Sequence, residues 1–126
     1  MKTEMRGITG KILRVDLTAL TAYTVPTPVE AMQKFAGGRG LGAHFLWKEV
    51  DSGSDPLGPE NMLIFMTGPL TGTLMPGSNK VNVTFKSPLT GTYSYSLCGG
   101  HWGPELKFAG YDGLIIEGQS SKPVYI

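Results

Sequence analysis

The chain is 126 residues long, with a net charge of +1, a charged fraction of 17% and a single cysteine, Cys98. Such a length builds one domain, residues 1–126, around a core of ordinary size. The near-neutral charge argues against a nucleic-acid or membrane-surface footprint, the lone cysteine against an internal disulfide, and the lack of any apolar run near ~20 residues against a membrane-spanning helix.

Met1-Lys2-Thr3-Glu4-Met5-Arg6-Gly7 lacks the apolar h-region of a secretory signal, so a cytoplasmic setting is expected. Lys11–Leu17 alternates and predicts a strand with Ile12 or Leu13 inward, and Thr21–Val25 is its hairpin partner. Thr27-Pro28-Val29-Glu30 reads as a capping box with proline at the first helical position. The helix it opens carries Met32, Phe35 and Ala36 on one face and stops at Gly37-Gly38. A second helix is expected from about Leu41 to Val50, its buried side set by Leu41 with Phe45 and Leu46 with Val50. Asp51–Asn61, with Pro56 and Pro59, is a loop. Strands follow near 62–67, 81–86 and 92–97, then a short helix near 104–109 and strands near 113–117 and 123–126. Strands without strict βαβ alternation predict an α+β fold with a mixed or antiparallel sheet and a few short helices. A chain ending inside an apparent strand, Lys122–Ile126, suggests a piece of a longer polypeptide.

Two copies of one pentapeptide, Pro69-Leu70-Thr71-Gly72-Thr73 and Pro88-Leu89-Thr90-Gly91-Thr92, follow strands and read as turns. They lead into Gly99-Gly100-His101-Trp102-Gly103-Pro104, a strand-to-helix junction. Together these segments suggest a surface rich in backbone N–H groups and suited to a flat, phosphate-bearing ligand. A β-bulge with an N-cap and no ligand fits the junction equally well. Gly37-Gly38-Arg39-Gly40-Leu41-Gly42 lacks dinucleotide-fingerprint spacing and reads first as a helix-to-helix turn, although Arg39 can reach an anion. Lys80 places a cation beside the junction, where solvation is its plain alternative. His44 and His101 have no Cys or carboxylate at ligand spacing. Trp102 is read as half-buried packing, Cys98 as a small inert hydrophobe, and no Ser-His-Asp or paired-carboxylate arrangement is legible.

Gly10-Lys11-Ile12-Leu13-Arg14-Val15-Asp16-Leu17-Thr18, Gly37–Ala43, Asp55–Asn61, Thr67–Thr73, Lys86–Gly91 and Gly103–Asp112 resemble, in order and spacing, the tungsten-dependent aldehyde:ferredoxin oxidoreductase family. The resemblance covers nearly the whole chain. It implies the N-terminal part of a mixed-sheet α+β base that binds tungstopterin, a bis-pterin holding tungsten or molybdenum, with magnesium bridging the pterin phosphates. It further implies a neighbouring 4Fe–4S cluster that passes electrons to ferredoxin. Carried over residue by residue, the family's pterin-contacting arginine falls at Lys80. The backbone carbonyl that reaches magnesium falls at Leu97, and the following amides at Cys98, Gly99 and Gly100. Lysine at position 80 lacks the planar fork of arginine. A 4Fe–4S cluster needs four thiolates, and Cys98 matches none of the family's cluster ligands, so those ligands are expected in further domains and no activity is expected of this chain alone. A benzoyl-CoA-reductase-like member is a variant of this reading. The alternative is a stand-alone, non-catalytic protein of the same fold that binds a pterin or a partner chain. Homodimer formation is expected of an exposed, glycine-rich face with open strand edges.

Overall fold

The alternation around Ile12 builds an interior strand of the sheet. The computed structural model describes residues 6–126, so the reading of Met1–Met5 lies outside the described residues. Strand β1 (Lys11–Asp16) pairs antiparallel with β2 (Thr21–Pro26), setting Ile12 against Val25. Helices α1 (Val29–Phe35) and α2 (Gly38–Glu49) follow, then β3 (Leu63–Thr67), β4 (Val81–Lys86), β5 (Tyr93–Cys98), α3 (Trp102–Phe108) and β6 (Gly113–Glu117). The sheet has six strands in the order β2-β1-β6-β3-β4-β5. Only the β1–β6 pairing is parallel, and the others are antiparallel. This is the mixed α+β fold the element order predicted.

Period-two alternation puts Ile12, Ile64, Met66 and Ile115 on one face, where α1 and α2 cover them with Ala31, Met32, Leu41, Phe45 and Leu46. Each Ile, Leu, Met or Phe side chain so buried contributes about 1.5–3 kcal/mol. Helix α2 lies across β3 and β4. The close approach depends on Gly42, where a Cβ would meet Thr84 Oγ1 at 2.5 Å. On the opposite face Trp102 packs against Phe65, ring centroids 5.1 Å apart.

Several local expectations change. Thr27 does not cap α1: the N-cap is Pro28 with no side-chain cap, and the Thr27 hydroxyl donates instead to Asp112 Oδ2 at 2.7 Å. A buried carboxylate binds a hydroxyl more strongly than a neutral amide does. The α1 helix buries Ala31 and Met32, while Phe35 is partly exposed and Ala36, in the left-handed region at φ 56°, is the C-cap. Helix α2 starts at Gly38 rather than near Leu41, and α3 starts at Trp102. No strand forms over 123–126, where Val124, Tyr125 and Ile126 are exposed. Hydrophobic alternation without a neighbouring strand to pair with is not enough to make one.

Candidate functional site

Antiparallel register brings the proposed site residues together. Val81 pairs with Cys98 and Asn82 with Leu97, so Lys80, just before β4, lies across from Gly99, just after β5. The Asn79 side-chain amide donates to the Gly100 carbonyl at 3.1 Å, closing the two segments on each other. The first turn of α3 seals the group from the side. At Gly103 a Cβ would lie 3.0 Å from the Asn79 carbonyl and 3.3 Å from Thr71 Cγ2. Lys80, Leu97, Cys98, Gly99 and Gly100 are all exposed, forming a ledge at one corner of the sheet where β5 is the edge strand.

The ledge suits close approach by a ligand. Gly99 faces open space, with nothing within 4 Å of a Cβ built there, and Gly100 sits at φ +85°, where glycine is strongly favoured. Lys80 forms no ion pair among the described residues. The Cys98 thiol is exposed and reaches only the neighbouring Gly99 carbonyl at 3.3 Å. Helix α3 adds less than its motif promised. It has seven residues, its N-cap His101 makes no side-chain cap, and Pro104 has no N–H. Among the described residues no three His, Cys, Asp or Glu side chains are placed to hold a metal ion. A carbonyl such as that of Leu97 lies outside such a set.

The two pentapeptides do form turns, with Gly72 at φ 80° and Gly91 at φ 68°. They do not form one surface. The first follows β3 at the ledge, while the second joins β4 to β5 at the far end, beyond the Lys86–Tyr93 pair. Two concavities also lie away from the ledge. One of about 300 Å³ is lined by Leu17, Met62 and Phe85, and one of about 1120 Å³ by His44, Trp47 and Tyr93. The ledge is an open shelf.

At the same end of the sheet, on the far side of β3, the start of β6 holds a polar hub. The Asp112 carboxylate accepts from the Thr9 and Gly10 amides at 2.8 and 2.9 Å, the Thr27 hydroxyl at 2.7 Å and Lys107 Nζ at 2.8 Å. Its carbonyl accepts from the Thr67 amide and hydroxyl. Burial alone pushes the Asp112 carboxyl up, but the bonds from Lys107, Thr27 and Thr9 outweigh it and hold the group below the usual carboxylate value. Sequence reasoning missed this hub, because Thr9, Gly10 and Thr27 reach Asp112 from the other end of the chain. It also missed Asn79, which reads as an ordinary turn residue.

Over residues 12–126 the sequence matches the family described as "Aldehyde ferredoxin oxidoreductase, N-terminal domain". The chain belongs to that family. The chain is 51% identical over 122 residues to "Tungsten-containing aldehyde ferredoxin oxidoreductase" of Pyrococcus abyssi, covering 97% of this chain and 20% of that protein. It is 45% identical over 125 residues to "Aliphatic sulfonate oxidoreductase, WOR-like subunit" of Pyrococcus furiosus. Among solved structures, "Active site complex BamBC of Benzoyl Coenzyme A reductase in complex with 1,5 Dienoyl-CoA" has the same fold. The TM-score is 0.92 at 42% identity, covering 95% of this chain and 18% of that one. The chain spans about a fifth of the length of the curated relatives it matches.

Proposed function

We propose that this chain is the cofactor-binding N-terminal domain of a tungsten- or molybdenum-pterin oxidoreductase that turns aldehydes into carboxylic acids, with ferredoxin as electron acceptor, and that the ledge seats the cofactor's phosphate end. The observation that carries the reading is the convergence of Lys80, Leu97, Cys98, Gly99 and Gly100 at one corner, with a cation that forms no ion pair among the described residues beside an uncovered glycine backbone. When bound, the pterin-held metal supplies a two-electron oxidation in which an aldehyde and water become a carboxylic acid, two protons and two electrons.

The residues of this chain bind and orient. Lys80 offers charge to a phosphate, and the backbone from Cys98 to Gly100 offers amides that a side chain at position 99 would cover. The Leu97 carbonyl would hold a magnesium ion, which would supply charge to neutralise the cofactor's phosphates. Asn79 holds the Gly100 peptide in place, so the amides meet the ligand already oriented. The 4Fe–4S cluster, its thiolates and the substrate channel belong to the remaining domains of the parent enzyme, which are this domain's partners in a cytoplasmic protein. An open shelf fits that arrangement, because a second domain closes over it.

The test is a chimera in which this chain replaces the matching fifth of the Pyrococcus abyssi relative. Tungsten and pterin per mole of folded protein, together with aldehyde oxidation, are measured. Retention with activity is expected. A folded chimera lacking cofactor contradicts the reading, and retention without activity favours a non-catalytic pterin-binding or partner-binding role.

A further inference from the structure

The sheet carries a second apolar face that the ledge does not use. Asn82 pairs with Met66 and Thr84 with Ile64, so the polar residues of β4 point to the side that α1 and α2 cover. Val81, Val83 and Phe85 point to the other side. Register carries that face across the sheet through Leu63 and Phe65 of β3, Leu114 and Ile116 of β6, and Leu13 and Val15 of β1. Ala22 and Thr24 of β2 rim it at one edge, Ser94 and Ser96 of β5 at the other. Among the described residues, Lys11 at one corner is the only charge at a strand position of this face.

An antiparallel strand with one side in water turns its polar residues to that side. Strand β4 does the reverse. An apolar centre inside a rim of small and polar residues is the anatomy of a buried interface, and soluble surfaces seldom leave such a patch open. Cover from within the domain stops short. Helix α3 lies at the ledge end, where Trp102 packs on Phe65 and where Val81 and Leu114 are buried. It has only seven residues. Beyond it Leu13, Val15, Val83, Phe85 and Ile116 are half-buried, and Leu63 is 38% exposed. At that open end Leu63, Phe85 and Ile116 line the concavity of about 300 Å³, with Leu17 and Gly118 beside them.

The path of the chain points to the occupant. Gly118 directly follows β6, so the polypeptide leaves the sheet beside this concavity. The matched family domain is N-terminal and the chain spans about a fifth of its relatives, so in them most of the polypeptide follows from here.

We propose that this face is the docking surface for the part of the parent polypeptide that follows position 126. That part lays an uncharged, apolar layer over β1, β6, β3 and β4 and fills the concavity with its side chains. Domains are built as packed layers around a shared core, and the outward residues of β4 are one half of such a core. The covalent link makes the encounter intramolecular, which favours it over a second copy. Nothing in this docking depends on the ledge.

The experiment uses the chimera with the Pyrococcus abyssi relative. In one sample Val83 is exchanged for the diazirine analogue of leucine, and cross-links formed on irradiation are mapped by peptide mass spectrometry. In a second, unmodified sample a soluble diazirine footprints exposed side chains. Cross-links are expected from position 83 to peptides beyond the 126-residue segment of the same polypeptide. Labelling of Leu13, Phe85 and Ile116 is expected to fall to that of the fully buried Ile64 and Ile115. Cross-links joining two copies, or labelling well above that of Ile64, overturn the docking. Tungsten and pterin content of the same samples reports on the ledge separately. A protected face without cofactor keeps the docking and overturns the ledge, and a labelled face with full cofactor does the opposite.

Discussion

Lys107 Nζ lies 2.8 Å from Asp112 Oδ1 across a nearly closed interior, ties α3 to the start of β6, and also donates to the Gly7 carbonyl at 2.7 Å. Asp112 is 1% exposed, so its charge survives only because every bond around it is made.

Replacing Asp112 by Asn leaves the Lys107 ammonium without its counter-charge, and a loss of about 3–5 kcal/mol is expected. Denaturant unfolding of the 126-residue chain measures it. A change below 1 kcal/mol shows that the hub is dispensable.

The same carboxylate sets an acid limit. Its folded value is held below the ordinary 3.8, so the stabilisation is complete above that pH and is lost as pH falls through the lowered folded value. Urea midpoints between pH 6 and 2.5 should fall most steeply below about pH 4, and Asp112→Asn should flatten that fall. An equally steep fall in the variant assigns the acid sensitivity to other carboxylates.

Gly42→Ala tests the seat of α2 on the sheet. The new methyl would meet Thr84 Oγ1 at 2.5 Å and Thr84 Cβ at 3.0 Å, forcing helix and strand apart at a cost of about 1–3 kcal/mol. A melting temperature equal to that of the parent chain would show that α2 has room to move.

The strands and the buried stripe of α2 were legible because their period is written in single residues: Ile12, Leu41 and Phe45 fall inward as the pattern requires. Helix starts were less so. Gly38 and Trp102 enter helices because their surroundings pack there, which local propensity cannot show. The paired pentapeptides illustrate a second limit. Identical turns lie at opposite ends of the sheet when one follows β3 and the other links β4 to β5, and only strand direction decides which. The family resemblance named Lys80, Leu97 and Gly99 as one group. The register explains why residues so far apart in the chain meet. Asn79 stayed invisible as a site candidate, since its interest comes from a bond to the Gly100 carbonyl that appears only in three dimensions.

The described surface predicts association of the isolated chain. Strands β2 and β5 have open edges, and Trp47, Leu89 and Leu97 are among the exposed apolar side chains. Light scattering of the purified chain should report a dimer or larger species. A clean monomer at high concentration contradicts this.

Purified alone, the chain should also be colourless, without iron–sulfur absorbance and without aldehyde-dependent reduction of a viologen dye, because Cys98 is its one thiol. Stoichiometric iron with activity would overturn the division of labour between this domain and the rest of the parent enzyme.

The central claim is that the ledge seats the cofactor, and Gly99→Val in the chimera tests it most directly. Position 99 is open, with nothing within 4 Å of a Cβ, so the valine leaves the fold intact while covering the backbone amides. Tungsten and pterin per mole of folded protein are the measurement. The account predicts that Gly99→Val loses most of both, while Lys80→Ala, which removes one exposed ammonium, loses less, about fivefold at most. Full retention of tungsten and pterin by a folded Gly99→Val chimera would contradict it.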